Sequence, residues 1–235
     1  MALDRKQILA AAFELLDAEG LEGLTMRRLA QSMDIQAPSL YWHFNSRRAL
    51  LESMADAMLD EVARRSSGEE DWREVVLRIG RETRAAFLAH RDGAKLFAGT
   101  YPISENVFRA GDAMMTPLRN AGLSPTMAGW ATFTLIYFVI GFVIEEQSVE
   151  PFEGKVAPDV NLSAVRQSAQ AFAEQASHPT LAEALPNILD EDFDRRFEFG
   201  LDLIVRGMQS HLQEASQSGA SAGGPRRSRR REKSS

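Results

Sequence analysis

Residues 25–48 read Thr-Met-Arg-Arg-Leu-Ala-Gln-Ser-Met-Asp-Ile-Gln-Ala-Pro-Ser-Leu-Tyr-Trp-His-Phe-Asn-Ser-Arg-Arg. Thr25 carries the side chain of a helix N-cap, so a first short helix is expected over Met26–Met33, with Leu29, Ala30 and Met33 facing inward. Asp34-Ile35 makes a turn, with Ile35 as its apolar plug. Pro38 falls in the first turn of a second helix, Gln36–Trp42, where its missing N–H is no loss. So short a helix is not stable alone. Neighbours must hold it up while it presents a surface: Gln36, Ser39, Tyr41, Trp42 and His43, flanked by Arg27, Arg28, Arg47 and Arg48. Hydrogen-bonding and stacking groups framed by guanidinium groups suit a DNA groove with phosphates on either side. The pattern is a helix-turn-helix.

Working outward, Ile8, Leu9, Ala12, Phe13 and Leu16 recur at helical spacing and predict a helix over Asp4–Glu19, ended by Gly20 and Gly23. Asn45-Ser46 caps a longer helix, Arg47–Arg65, whose apolar stripe is Leu51, Met54, Met58 and Val62. Residues 1–48 then form a DNA-binding head and 47–65 a connecting helix. Thr25 and Arg27 enter from the first helix of the motif, Arg27 toward a guanine edge or a phosphate. Gln36 suits an adenine or a phosphate, and Ala37 and Pro38 a thymine methyl. Ser39, Tyr41, His43 and Arg47 read as phosphate or sugar clamps, with Trp42 against the backbone. Core packing is the alternative for one ring of Tyr41 and Trp42; Phe44 is assigned to the core.

The chain has 235 residues, 44% hydrophobic and 26% charged, the balance of one or two soluble domains with a sizeable core. It has no cysteine, so disulfides and thiolate metal sites are excluded. The start, Met-Ala-Leu-Asp-Arg-Lys, lacks the apolar run of a signal peptide, and a cytoplasmic location is expected. The net charge of −6 hides a local excess: residues 25–48 hold four Arg against one Asp, or +3. The four histidines, at 43, 90, 178 and 211, are scattered, and no nucleophile–base spacing marks an enzyme. Asp190-Glu-Asp-Phe-Asp194 is an acidic run, which a helix start favours electrostatically without any metal.

Residues 66–215 read as a second, helical domain, giving an all-α fold. Helices are expected over Asp71–His90 (Trp72, Val76, Ile79, Thr83 and Phe87 on one stripe), then to Ala98 after Arg91-Asp92-Gly93, and over Ser104–Ala121. Pro151–Asp159 reads as a loop, Asn161–Ser177 as a helix and Thr180–Leu189 as irregular. Between Arg119 and Glu145 lie 25 uncharged residues. A membrane span needs about 20 apolar ones, but this stretch opens Asn120-Ala-Gly-Leu-Ser-Pro-Thr and no Lys/Arg cluster follows it. A helix apolar on nearly all sides also suits the centre of a dimer. In the last helix, Asp190 to Glu214, Phe193, Phe197, Leu201, Ile204, Met208 and Leu212 form a near-heptad seam. One reading is an intramolecular core helix. The other pairs it with Trp130, Phe133 and Tyr137 of the apolar helix across a two-fold axis, as a four-helix interface. Gly200 and Gly207 would let another backbone approach. From Ser216 a Ser/Gly/Ala-rich stretch leads to Pro225-Arg-Arg-Ser-Arg-Arg-Arg, a composition expected to be disordered and to act either as a solvated tail or as a weak phosphate attractor.

The run Pro38-Ser-Leu-Tyr-Trp-His-Phe44 resembles the head of the TetR family of bacterial transcriptional repressors. His90-Arg-Asp-Gly-Ala-Lys95, Gly99-Thr100, Pro102 and Phe199-Gly-Leu-Asp-Leu-Ile204 are similar to body segments of its tetracycline-repressor branch, so the likeness covers about residues 3–213. The resemblance implies a homodimer on a palindromic double-stranded DNA operator, released by a small molecule in the body. In that branch the effector is a drug–magnesium chelate. Phe97 stands where the branch has a metal-ligating histidine, while Thr100 and Glu145 match two other residues near the metal. Ala63, Ile79 and Tyr101 replace further polar contacts, and Ala37 stands in place of a glutamine at the DNA. These departures point to a metal-free organic ligand, with magnesium held through Thr100 and Glu145 as the alternative; Thr83, Phe87, Phe97, Thr100, Tyr101, Pro102, Met114 and Glu145 are pocket candidates, and core packing is the alternative for each aromatic. The implied mechanism moves the Phe97–Pro102 segment against the Arg47–Arg65 helix and splays the heads. The competing function is a ligand-binding or interaction module that has lost specific DNA binding.

Overall fold

The first helix, α1 (Arg5–Gly23), starts in a capping box: the Asp4 carboxylate accepts the Gln7 N–H while the Gln7 side chain accepts that of Asp4. Gly20, with φ +74°, breaks its helical path. A side chain there would also lie 2.9 Å from the Asp92 carboxylate, so glycine is required twice over. The computed structural model describes residues 3–64, 70–149, 161–175, 178–188 and 192–222, and among them all regular structure is helical.

Thr25 caps α2 (Met26–Ser32) through the Arg28 N–H. Asp34, at φ +53°, makes the turn into α3 (Ala37–Tyr41). This helix is shorter than the Gln36–Trp42 expected, because Gln36 and Trp42 are its two caps. Ile8, Leu16, Leu24, Leu29, Leu40 and Phe44 are sealed in the core of the head. Ser46 caps α4 (Arg47–Met58).

That connecting helix does not reach Arg65. After Met58 its path turns, and Ala63 adopts φ +58°. The cause lies in the body: the Arg109 guanidinium donates to the carbonyls of Leu59, Asp60 and Val62, and the Glu82 carboxylate accepts the Ala63 N–H at 2.7 Å. Groups that a continuing helix would pair internally are held by neighbouring side chains instead. The buried stripe of α4 is Leu50, Met54, Ala55 and Met58, with Leu51 half-buried.

The body follows as α5 (Trp72–Leu88), α6 (Gly93–Ala98), α7 (Glu105–Asn120), α8 (Pro125–Val149), α9 (Leu162–Gln175), α10 (Pro179–Ile188) and α11 (Phe193–Ala222). The apolar α8 is long enough to cross a membrane by length and composition, yet it is the hub of the body, packing on α5, α6, α7 and α11. Close helix contacts rest on glycines. A Cβ on Gly80 would meet Leu201 at 2.9 Å, and one on Gly200 would strike the Phe138 ring.

Two sequence expectations fail here. Thr180–Leu189, expected irregular, is largely α10: Pro179 ends nothing but occupies a helix's first position, where its ring is pre-organised. The chain beyond Ser216 was expected disordered, yet α11 runs on to Ala222, since extending an existing helix is far cheaper than nucleating one. The loop expected at 151–159 and the arginine-rich run lie outside the described residues.

Candidate DNA interface and effector site

The head turns α3 outward by anchoring Leu40 and Phe44 beneath it. Tyr41 is exposed and Trp42 is 89% exposed, so neither ring belongs to the core. Gln36 and Pro38 are exposed, and Ala37, Ser39 and His43 are half-buried beside them. Thr25 lies at the exposed start of α2, its hydroxyl accepting the Arg28 N–H.

The four arginines of this segment separate in the structure. Arg28 pairs with Glu19 and Arg48 with Glu52. Arg47, expected as a phosphate clamp, is exposed and also braces the head: its guanidinium donates to the carbonyls of Leu24 at 2.7 Å and Leu21 at 2.8 Å, tying α4 to the end of α1. Arg27 is exposed and makes no ion pair or hydrogen bond among the described residues. The sequence missed Arg5. Its guanidinium donates to the His43 carbonyl and the Ser53 hydroxyl and lies 4.3 Å from the centre of the Phe44 ring, fixing the end of α3 from behind.

Head and body meet on two sides of an open groove of about 1030 Å³, walled by α1 and Tyr41–Asn45 on one flank and by Pro102–Asn106 on the other. On one side Asp56 of α4 caps α7, accepting the N–H groups of Asn106 (2.9 Å) and Val107 (3.3 Å). On the other, Asp17 of α1 accepts the Arg91 N–H at 3.0 Å and faces His90 Nδ1 at 3.1 Å, while the His90 ring stacks on Phe13. Asp92, in the left-handed conformation, accepts the Leu21 N–H at 2.9 Å. Burial opposes ionisation of Asp92, but the Leu21 N–H, Lys95 and Arg91 outweigh it and hold its carboxyl below the usual range.

In the body interior Phe87 on α5 meets Phe97 at the end of α6, the two phenyl rings 4.9 Å apart, and Thr83 is buried one turn before Phe87. The Thr83 hydroxyl donates to the Ile79 carbonyl and the Thr100 hydroxyl to that of Phe97. Met114 of α7 is buried in the same core and Pro102 is half-buried. Two pocket candidates stand apart. Tyr101 is 81% exposed, because the chain leaves α6 as a surface loop, and Glu145 is exposed on the outer face of α8. Gln147, missed in the sequence, donates from Nε2 to the carbonyls of Phe87 and His90, closing the end of α5. The Arg84 guanidinium spans Glu146 and Asp194, joining α5, α8 and α11. Burial disfavours that cation, but the two carboxylates overcome it and raise its pKa.

The seam expected on α11 turns inward. Phe193, Phe197, Leu201 and Met208 are buried within their own chain, against α8 and α5; Ile204 is half-buried, and Val205 is buried beside it. The outward face holds Trp130 (69% exposed), Phe133 and Tyr137 (66%) of α8, as expected, together with Phe199 and Leu203 of α11. The two stripes flank the contact of Phe138 with Gly200, and they continue into Gly141 and Gly207, where an added Cβ would meet nothing within 4 Å.

Residues 8–54 match the bacterial regulatory proteins of the tetR family, and residues 66–212 match the tetracyclin repressor-like C-terminal domain. The chain belongs to the TetR family. It is 38% identical to the class A tetracycline repressor from transposon 1721 of Escherichia coli, across 88% of this chain and 90% of that one. Among solved structures it resembles a possible TetR family transcriptional regulator from Streptomyces coelicolor A3(2), at 40% identity and TM-score 0.77 over 88% of this chain and 99% of that one. It also resembles ActR of Streptomyces coelicolor in complex with actinorhodin, at 31% identity and TM-score 0.79 over 90% and 99%.

As a TetR-family regulator the chain is a DNA-binding protein with a helix-turn-helix head and an all-α regulatory body. The magnesium of the tetracycline branch fits its residues poorly. Phe97 offers a ring and no imidazole, and Glu145 faces outward; no cluster of three metal-ligating side chains occurs among the described residues.

Proposed function

We propose that the chain is a homodimeric, cytoplasmic transcriptional repressor, acting by binding rather than catalysis, that a small organic effector releases from a palindromic operator. The observation that carries this reading is the division of labour in α3 and its flanks. Leu40 and Phe44 are sealed in the core while Gln36, Tyr41 and Trp42 stand in solvent beside an uncommitted Arg27. One such head reads few base pairs; two of them, about 34–36 Å apart, reach successive major grooves. The apolar stripes of α8 and α11 supply a surface for the pairing.

Release would run through the contacts between body and head. An effector between α5 and α6 displaces the Phe97–Pro102 segment. Because α6 packs on α4, and Asp56 of α4 holds the start of α7, that displacement turns α4 and with it the head. A coupling of about 1–3 kcal/mol, or 5–150-fold in operator affinity, is what such switches deliver. Selecting bound duplexes from random DNA with the purified chain tests the reading. The expected product is a palindrome with half-sites about one helical turn apart, bound by a dimer. A chain that enriches no sequence at low salt is an interaction module instead.

A further inference from the structure

The chain passes from head to body once, at the end of α4, and that exit is gripped from two sides. From α7 the Arg109 guanidinium donates to the carbonyls of Leu59, Asp60 and Val62 and to the Asn106 side-chain oxygen. From α5 the Glu82 carboxylate accepts the Ala63 N–H with one oxygen and Arg78 with the other, and both oxygens of Glu70 hold Arg78 in turn. Between these two jaws Leu59 and Val62 are buried, and Ala63 sits at φ +58°, a left-handed conformation that alanine adopts only under constraint. A guanidinium presents five donors in a rigid fork and can bridge several carbonyls at fixed angles, which the single ammonium of a lysine cannot. The direction in which α4 leaves the body is therefore set by side chains of the body, not by the helix itself.

We infer that Arg109 is a positioning residue that fixes the half-site spacing this chain accepts, with Glu82 as its opposing jaw. The inference rests on the reading of the chain as a dimer on a palindromic operator. One base pair inserted between two half-sites turns one of them by about 34–36° and moves it about 3.4 Å along the duplex. Heads carried on a clamped α4 cannot follow that displacement. Heads carried on a loosened one can, so the clamp rejects wrongly spaced sites without touching a base.

Anisotropy measurements on the selected operator, on versions with one base pair added or removed at its centre, and on a duplex with a single half-site test this. The wild type is expected to bind the altered spacings at least about tenfold more weakly than the selected one. Arg109→Ala should compress that penalty to about threefold or less while binding the single half-site as the wild type does. Arg109→Lys keeps the charge but not the fork and should behave like the alanine variant. Glu82→Ala opens the other jaw and should also compress the penalty, which keeps the test decisive where Arg109→Ala fails to fold. A readout without DNA is open because the chain has no cysteine: Glu22→Cys, on the exposed surface of the head, carries one spin label per subunit. The head-to-head distance distribution, read by double electron–electron resonance, should broaden when Arg109→Ala is added. An unchanged spacing profile in the folded variants, an equal loss on half-site and palindrome, or an unchanged distance distribution overturns the inference and leaves Arg109 a stabilising cap. A wild type that selects no palindrome overturns the underlying reading instead, and the label distances tell the two failures apart.

Discussion

Arg27 and Arg47 are both exposed arginines of the head, and their hydrogen bonding assigns them different work. Arg47 gives two of its five N–H donors to Leu21 and Leu24, whereas Arg27 is uncommitted. Arg27→Ala is therefore expected to lower operator affinity about tenfold or more and leave the melting temperature unchanged. Arg47→Ala should lower the melting temperature as well, because two helix-end carbonyls lose their partner. Gel shift and thermal melting on the same samples separate the two; equal melting temperatures would remove the distinction. Trp42→Ala belongs with Arg27, since a side chain 89% exposed contributes little to the fold. Asp92 adds a pH dependence. Its folded carboxyl titrates below the ordinary 3.8, so its ionised form stabilises the fold fully above that value, and the contribution is lost as pH falls through the depressed one. Asp92→Asn keeps an acceptor and tolerates the left-handed backbone, isolating the charge. Its melting temperature should lie below wild type at pH 7, with the gap closing under acid conditions below 3.8. At this scale residue type was legible in the sequence and partner was not: the bracing bonds of Arg47 join it to Leu21 and Leu24, more than 20 positions away.

Helix patterns told which faces are apolar, but not what each face meets. The all-round hydrophobicity of α8 fits a helix that packs on α5, α6, α7 and α11 and still keeps an apolar stripe in solvent. The seam of α11 was legible as a seam, yet a heptad carries no address. Phe193, Phe197 and Leu201 bury themselves against α8 and α5 of the same chain, and the outward stripe is Phe199 and Leu203. Proline misled at α10 for a related reason, since Pro179 marks either the end of one helix or the start of the next. If the exposed stripes of α8 and α11 are the dimer surface, Tyr137→Asp should convert the protein to a monomer at micromolar concentration with its helical circular dichroism intact. A buried charge opposite its own copy is strongly unfavourable. Gly207→Leu is expected to weaken the dimer by another route, filling the space where a second backbone would approach. Sedimentation velocity reads both, and an undiminished dimer in the two variants moves the interface elsewhere.

At the level of the whole molecule the head is suspended from the body at two points across the groove. Asp56 of α4 reaches the start of α7, and Asp17 of α1 reaches Arg91 and His90 beyond the end of α5. Neither link is visible in sequence, since each joins segments 50 or more positions apart. Their positions make different predictions. The Asp56 link lies on the route from the Phe97–Pro102 segment to α4, so cutting it uncouples the effector site from the head without touching the surface that reads DNA. Asp56→Ala should cost about 1 kcal/mol of stability, the usual worth of a helix cap, and change operator affinity less than threefold. The loss of operator affinity caused by a saturating effector should meanwhile shrink at least fivefold relative to wild type, the low end of ordinary coupling. Asp17→Ala weakens the other suspension, which fixes α1 rather than α4 and retains the Asp92–Leu21 bond, and should lower stability while largely preserving that response. Fluorescence anisotropy with a labelled operator, with and without the effector, measures both. If Asp17→Ala abolishes the response and Asp56→Ala preserves it, transmission runs through α1, and α4 is a passive linker.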